Sequence, residues 1–193
     1  MKQKIYRFIF FRLMGWKISG VDNLRVKKCV MIVVPHTSWH DFYIGVFARG
    51  ITELKMNFVA KKELFAFPFG AYFRWMGGAP LNRGKNENKV DAIAKIFDQK
   101  EEFRLAIAPE GTRKKVTQWK TGFYYIAQKA KVPVVCVAFD WSKKEVKIHT
   151  PYYITDSLKK DMQMLQKHFE GVIGKVPQNS FSANVTSKSS QND

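Results

Sequence analysis

The sequence predicts an α/β fold: a single domain built on a mostly parallel or mixed β-sheet flanked by helices. Three observations carry this. Apolar, strand-like runs at 29–34, 104–108 and 132–139 alternate with helix-like stretches. These runs are apolar at nearly every position, as strands covered on both faces must be. Clusters of polar and charged residues follow the first two runs, where an α/β sheet keeps its chemistry.

In chain order, residues 1–19 bring Ile5, Phe8, Ile9 and Leu13 near one helical face, with Lys and Arg scattered among them. That composition suits an interfacial anchor, and equally a helix packed on the domain. From Val26 the pattern changes. The run 29–34 ends at Pro35 and reads as a buried strand, residues 37–49 as a helix, and residues 55–60 as a second strand. Asn86 or Asn88 can cap a helix that carries Val90, Ile93, Ala94 and Phe97 on one face. Residues 104–108 form the next strand, 121–131 a helix, 132–139 a strand and 145–149 an edge strand. Thr155 or Asp156 can cap a last helix bearing Leu158, Met162, Leu165 and Phe169. The chain therefore divides into a basic amphipathic, membrane-associating segment (1–25), a folded domain (26–176) and a polar tail read as disordered (177–193).

With 193 residues the chain buries a core without needing disulfides or metals. Its 33 Lys and Arg against 16 Asp and Glu leave a net charge of +17, which calls for an anionic partner. A nucleic acid, an anionic bilayer and an acidic carrier protein all satisfy that sign. The 16 Phe, 5 Trp and 7 Tyr favour the bilayer, although a Phe-rich core explains the same counts. Nucleic acid is disfavoured because no zinc-finger spacing or aromatic RNA-binding signature is present. Cys29 and Cys136 lie in apolar runs, as buried thiols of a reduced, cytosolic protein do. No apolar stretch of about 18 residues exists to span a bilayer. Arg7 and Arg12 interrupt the opening run, which therefore does not read as a signal peptide.

Three clusters carry candidate chemistry. In the first, His36 directly follows a strand and Asp41 lies five residues on. A histidine that takes a proton from an alcohol needs a fixed tautomer, and a carboxylate on its far nitrogen supplies one. On a continuous helix a five-residue offset is about 140° around the axis. The pair meets only if His36 sits in a loop and the helix starts after it. Two rival readings attach to the same cluster: His36, His40 and Asp41 as metal ligands, or Ser38 as a nucleophile. A metal site wants further ligands, and only His149 and His168 remain. Ser38 lacks the Gly-flanked tight turn of a nucleophile. The second cluster is Glu110, Gly111, Thr112 and Arg113, again at a strand end. Glycine lets backbone approach a ligand, and arginine offers a fork matched to phosphate oxygens. The third runs from Gly77 and Gly78 through Pro80 to Arg83.

Together these clusters spell HxxxxD (His36 to Asp41), GxxPxxR (Gly77 to Arg83) and EGTR (Glu110 to Arg113), followed by the apolar strand at 132–137. The chain so resembles the glycerolipid acyltransferase family typified by 1-acylglycerol-3-phosphate acyltransferase, in motif order and spacing, over residues 29–140. The resemblance implies the α/β fold of glycerol-3-phosphate acyltransferase-like proteins. It implies that His36 takes the acceptor hydroxyl's proton, that Asp41 orients His36, and that Arg83 and Arg113 hold the acceptor phosphate. Glu110, Gly111 and Thr112 complete that substrate site. The implied reaction moves a fatty acyl group from acyl-coenzyme A or acyl-acyl carrier protein to a lysolipid hydroxyl, without a metal or bound cofactor, on the cytoplasmic side of a membrane as a peripheral protein. Its anionic partners are the membrane surface, the lysolipid and the acyl carrier. Residues 61–75, which mix cations with aromatics, suit an acyl groove, a headgroup-facing surface or a buried helix.

The departures from the pattern are Pro35, Ala79, Lys114 and Cys136, where the family commonly has Asn, a branched aliphatic, Ser and Pro. They spare the charged residues and so bear on acceptor identity more than on reaction type. A lyso-aminolipid acceptor, such as a lyso-ornithine or lyso-glycine lipid, stays open beside 1-acylglycerol-3-phosphate. So does a non-catalytic role in binding anionic lipid or nucleic acid, for which only the net charge of +17 speaks.

Overall fold

The structure, a computed structural model, describes residues 2–68, 70–75, 77–81, 88–155 and 157–181. Among these, seven strands form one sheet: β1 (Lys17–Ser19), β2 (Lys28–Val34), β3 (Met56–Lys61), β4 (Gly78–Leu81), β5 (Phe103–Ile107), β6 (Val134–Asp140) and β7 (Glu145–Ile148). Their order is β1-β7-β6-β2-β5-β3-β4, and every neighbouring pair is parallel except β6 and β7. The helices are α1 (Lys2–Arg7), α2 (His40–Thr52), α3 (Gly70–Trp75), α4 (Lys89–Gln99), α5 (Gly122–Ala130) and α6 (Leu158–Lys167).

The all-apolar runs lie where both faces of the sheet are covered. Val30, Ile32 and Val34 of β2 and Val134, Cys136 and Ala138 of β6 pack with Ile93 and Phe97 of α4, Phe123 and Tyr124 of α5, and Leu165 of α6. The alternate residues Cys29 and Met31, with Val135, Val137 and Phe139, pack with Phe10, Trp16 and the α2 residues Ile44 and Ile51 on the other face. Strand side chains alternate between faces, so a strand sandwiched between two helical layers is apolar throughout. Burying each of the Val, Ile, Leu, Met and Phe side chains among them contributes about 1.5–3 kcal/mol.

Asn88 caps α4 by accepting a 3.1 Å hydrogen bond from the Val90 N–H; the alternative cap Asn86 lies outside the described residues. At α6 the N-cap position falls on Ser157, whose side chain makes no cap bond, and not on Thr155, whose Oγ1 instead accepts from the Ser157 N–H at 3.2 Å and donates to Asp161 at 2.9 Å; Asp156 lies outside the described residues. The sheet exceeds the sequence expectation at both edges. β1 has three residues, too few for a readable alternation. β4 occupies part of what reads as a Gly-rich turn, and it contains Pro80, whose missing N–H is tolerated on an edge strand.

The N-terminal segment is integrated with the domain. Phe10, Trp16 and Leu24 are buried, the Tyr6 ring meets Phe47 of α2 at 5.7 Å, and β1 extends the sheet. Phe8–Leu13 form a π-helical turn. Of the residues assigned to one apolar face, Ile5, Phe8 and Leu13 point to solvent, at 54%, 58% and 69% exposure. At the other end, residues 177–181 are folded, with Phe181 buried 4.9 Å from the Trp119 ring; residues 182–193 of the expected tail lie outside the described residues. Among the described residues no helix is long and apolar enough to cross a membrane.

Candidate active site

β6, β2 and β5 lie side by side and parallel, so their carboxyl ends reach one edge of the sheet. Each delivers a side chain of the candidate site just past its end: Trp141 after β6, His36 after β2 and Glu110 after β5. That edge is where open α/β sheets place ligands.

α2 begins at His40, so His36 lies in the preceding loop and Asp41 in the first helical turn. His36 Nδ1 is 3.2 Å from Asp41 Oδ2. The same oxygen accepts from the backbone N–H groups of Thr37 and Ser38, each at 2.9 Å, and Asp41 Oδ1 accepts from Trp141 Nε1 at 2.9 Å. Burial pushes the Asp41 pKa up, but the hydrogen bonds from His36, Ser38 and Trp141 outweigh it and hold the carboxyl below its ordinary value. The helix start adds a favourable dipole. An ionised carboxylate only accepts, so in the neutral imidazole the tautomer that suits this contact has its proton on His36 Nδ1 and its lone pair on Nε2. The His36 side chain is 28% exposed against 2% for Asp41, so the ring borders solvent while its partner does not.

Glu110 is buried, and its Oε2 accepts a 2.7 Å hydrogen bond from the His36 backbone N–H. Burial is the main reason its pKa rises to about 7; the His36 amide bond and His36 itself oppose the rise, and the Asp41 charge adds to it. Glu110 thus bonds directly to the loop that carries His36. Gly111 follows at φ +65°, a left-handed conformation that costs other residues about 1–2 kcal/mol. A Cβ there would also lie 2.6 Å from Lys120 Nζ. Thr112 and Arg113 are exposed on the loop that follows, with Thr112 Oγ1 accepting from the Lys114 N–H at 3.3 Å. Arg83 lies outside the described residues.

The rival readings of the first cluster meet specific geometry. His40 Nδ1 is engaged by Ser38 Oγ at 2.9 Å, and its ring lies 4.2 Å from that of Trp39. Among the described residues no three His, Cys, Asp or Glu side chains gather as metal ligands. His149 and His168 pair with each other, ring centroids 4.3 Å apart. Sequence reasoning missed Trp141: it lies 100 residues from Asp41, in no motif, and only the fold joins them.

The sequence profile of the acyltransferase family matches residues 15–140, more than half of the 193-residue chain. The chain belongs to the acyltransferase family. It is 31% identical over 130 residues to a 1-acyl-sn-glycerol-3-phosphate acyltransferase of Saccharomyces cerevisiae, covering 63% of this chain and 41% of that protein. A protein of the same name from Pseudomonas aeruginosa is 26% identical over 132 residues, 64% of this chain and 48% of its own length. The chain thus spans less than half the length of these relatives. The crystal structure of the 1-acyl-sn-glycerophosphate acyltransferase PlsC from Thermotoga maritima shares the fold, with a TM-score of 0.60 at 22% identity, over 86% of this chain and 74% of that one.

Proposed function

We propose that this chain transfers a fatty acyl group from an acyl thioester to the free hydroxyl of 1-acylglycerol-3-phosphate, forming phosphatidic acid. The observation that carries the reading is the 3.2 Å contact between His36 Nδ1 and Asp41 Oδ2, beside the loop of Glu110 to Arg113. Its support is the family membership, together with the names of the yeast and Pseudomonas relatives.

In this mechanism His36 Nε2 accepts the proton of the acceptor hydroxyl as its oxygen attacks the thioester carbonyl. Asp41 stabilises the imidazolium that forms. The tetrahedral intermediate collapses with cleavage of the C–S bond, and the proton on Nε2 passes to the departing thiolate. Atoms balance as one ester and one thiol, with coenzyme A or acyl carrier protein as the leaving group. The thioester brings its own activation, so the proposed reaction draws on no bound cofactor or metal. Arg113 and Arg83 hold the acceptor phosphate, with the Gly111 and Thr112 backbone beside it. Tethering of this kind supplies roughly 7–11 kcal/mol of barrier reduction by orientation.

The same reading places the chain peripherally on the cytoplasmic face of a membrane. Trp39, Phe42 and Tyr43 are exposed on and beside the first turn of α2, next to His36, and Ile5, Phe8 and Leu13 are exposed near the N-terminus. Aromatic and aliphatic side chains of this kind, on a chain of net charge +17, suit an anionic lipid surface from which the lysolipid is drawn. The test is an assay of purified protein with a labelled acyl donor and a panel of lysolipids. Label in phosphatidic acid supports the proposal; label only in an acylated aminolipid reassigns the acceptor, and no transfer to any lysolipid overturns the reaction.

A further inference from the structure

Asp41 Oδ1 has one described partner, the indole Nε1–H of Trp141 at 2.9 Å, whereas Oδ2 serves His36, Thr37 and Ser38. The indole bond therefore sets the rotation of the carboxylate about its own axis, and with it the direction in which Oδ2 meets the histidine. Trp141 is itself fixed from several sides. The turn after β6 is tied by Asp140 Oδ1, which accepts from the Ser142 and Lys143 N–H groups at 3.0 and 3.1 Å. The Trp141 ring stands edge-on to Trp16, centroids 4.9 Å apart at 88°, and its backbone N–H donates to Ile173 O at 2.8 Å. Lys175 Nζ lies 4.8 Å from the ring centroid, a cation over a π face.

Ile173 and Lys175 belong to a segment that also grips the other side of the dyad. The Val176 N–H donates to Thr37 Oγ1 at 3.1 Å. A Cβ on Gly174 would lie 2.6 Å from Thr37 Oγ1 and 3.0 Å from Pro35 Cγ, so this strap touches both neighbours of His36. Residues 173–176 thus hold the His36 loop directly and the Asp41 carboxylate through Trp141.

We propose that Trp141, held in place by the strap at 173–176, is a positioning residue for the His36–Asp41 pair. The inference rests on the reading of that pair as the acid–base machinery and deepens it. Trp141 touches no reacting atom; it acts by keeping Asp41 aligned with His36 Nδ1, so its loss slows turnover without weakening either substrate's binding.

The test is Trp141→Phe, which keeps an aromatic ring and removes the donor, assayed beside His36→Ala and with nitrogen-15 NMR of the histidine Nδ1–H and tryptophan Nε1–H groups. The expected result is a fall in kcat of about 10-fold or more, with both KM values within about twofold of wild type, and a displaced or broadened His36 Nδ1–H resonance. Wild-type kcat together with an unmoved resonance overturns the proposal. If Trp141→Phe does not fold, the indole is replaced at this site by the isosteric benzothiophene amino acid, with the same two outcomes deciding. His36→Ala separates the two failures: a dead His36→Ala beside a fully active Trp141→Phe rejects the positioning role alone, while an active His36→Ala rejects the acid–base reading and the positioning role with it.

Discussion

Glu110 Oε2 accepts the His36 backbone N–H at 2.7 Å, across 74 residues of chain. The EGTR segment is thereby bonded to the HxxxxD segment, and a change in one is felt in the other. Glu110→Ala leaves a part-buried N–H without a partner, a loss of about 1–3 kcal/mol, and frees the His36 loop. We expect a melting temperature lower by several degrees and kcat lower by ~10²-fold, the scale of a misplacement of about 1 Å. Glu110→Gln keeps an acceptor oxygen and should retain more of both, which thermal melts and steady-state kinetics measure.

Two groups, the buried Glu110 and the half-buried His149, give stability opposite pH slopes. Glu110 rises from its ordinary 4.5 to about 7, because burial disfavours its charge. The folded state then binds this proton more readily than the unfolded state, so its contribution is fully present below pH 4.5 and is lost as pH rises through about 7. His149 falls from 6.5 to about 4 through burial, with the charges of His168 and Lys147 adding to it. Its contribution is present above pH 6.5 and is lost as pH falls through about 4. Thermal melts across pH 4–8 should show the stability of wild type relative to Glu110→Gln declining as pH rises. Relative to His149→Phe, it should decline as pH falls.

The N-terminal segment separates two kinds of apolar residue. Phe10 is fully buried, so Phe10→Ala should destabilise the fold by about 3–5 kcal/mol. Ile5, Phe8 and Leu13 are exposed, so replacing all three by Ser should leave the melting temperature nearly unchanged while weakening sedimentation with anionic vesicles. Unchanged vesicle binding would remove this face from the membrane contact.

Arg113→Lys keeps the charge and removes the planar fork. The KM for the phosphate-bearing acceptor should rise several-fold while that for the acyl donor stays within about twofold. An effect confined to the donor would assign Arg113 to the carrier's phosphates instead.

How much of this was legible in the sequence follows from the range of each signal. β2 and β6 were readable because each is buried on both faces, which leaves an unbroken apolar run. β1 and β4 are edge strands of three and four residues, and β4 contains a proline, so neither shows a period. Within 36–41 the geometric condition for the His36–Asp41 contact was also readable, since Pro35 ends the strand and the helix starts beyond it. The bond from Glu110 to the His36 amide depends on β5 lying next to β2, and that of Trp141 on β6 lying on the other side. Strand order leaves no local trace in composition or spacing. Which apolar residues of the N-terminal segment turn inward was not readable, because Phe10 and Phe11 are as apolar as Ile5, Phe8 and Leu13; only the position of α2 distinguishes them.

The central claim is that His36 is the general base of acyl transfer. The most direct measurement is kcat of His36→Ala with saturating labelled acyl donor and 1-acylglycerol-3-phosphate, on protein whose melting temperature matches wild type. The account predicts a loss of ~10²- to 10⁴-fold, the usual contribution of a general base. Retention of more than about a tenth of wild-type turnover by a folded His36→Ala would contradict it.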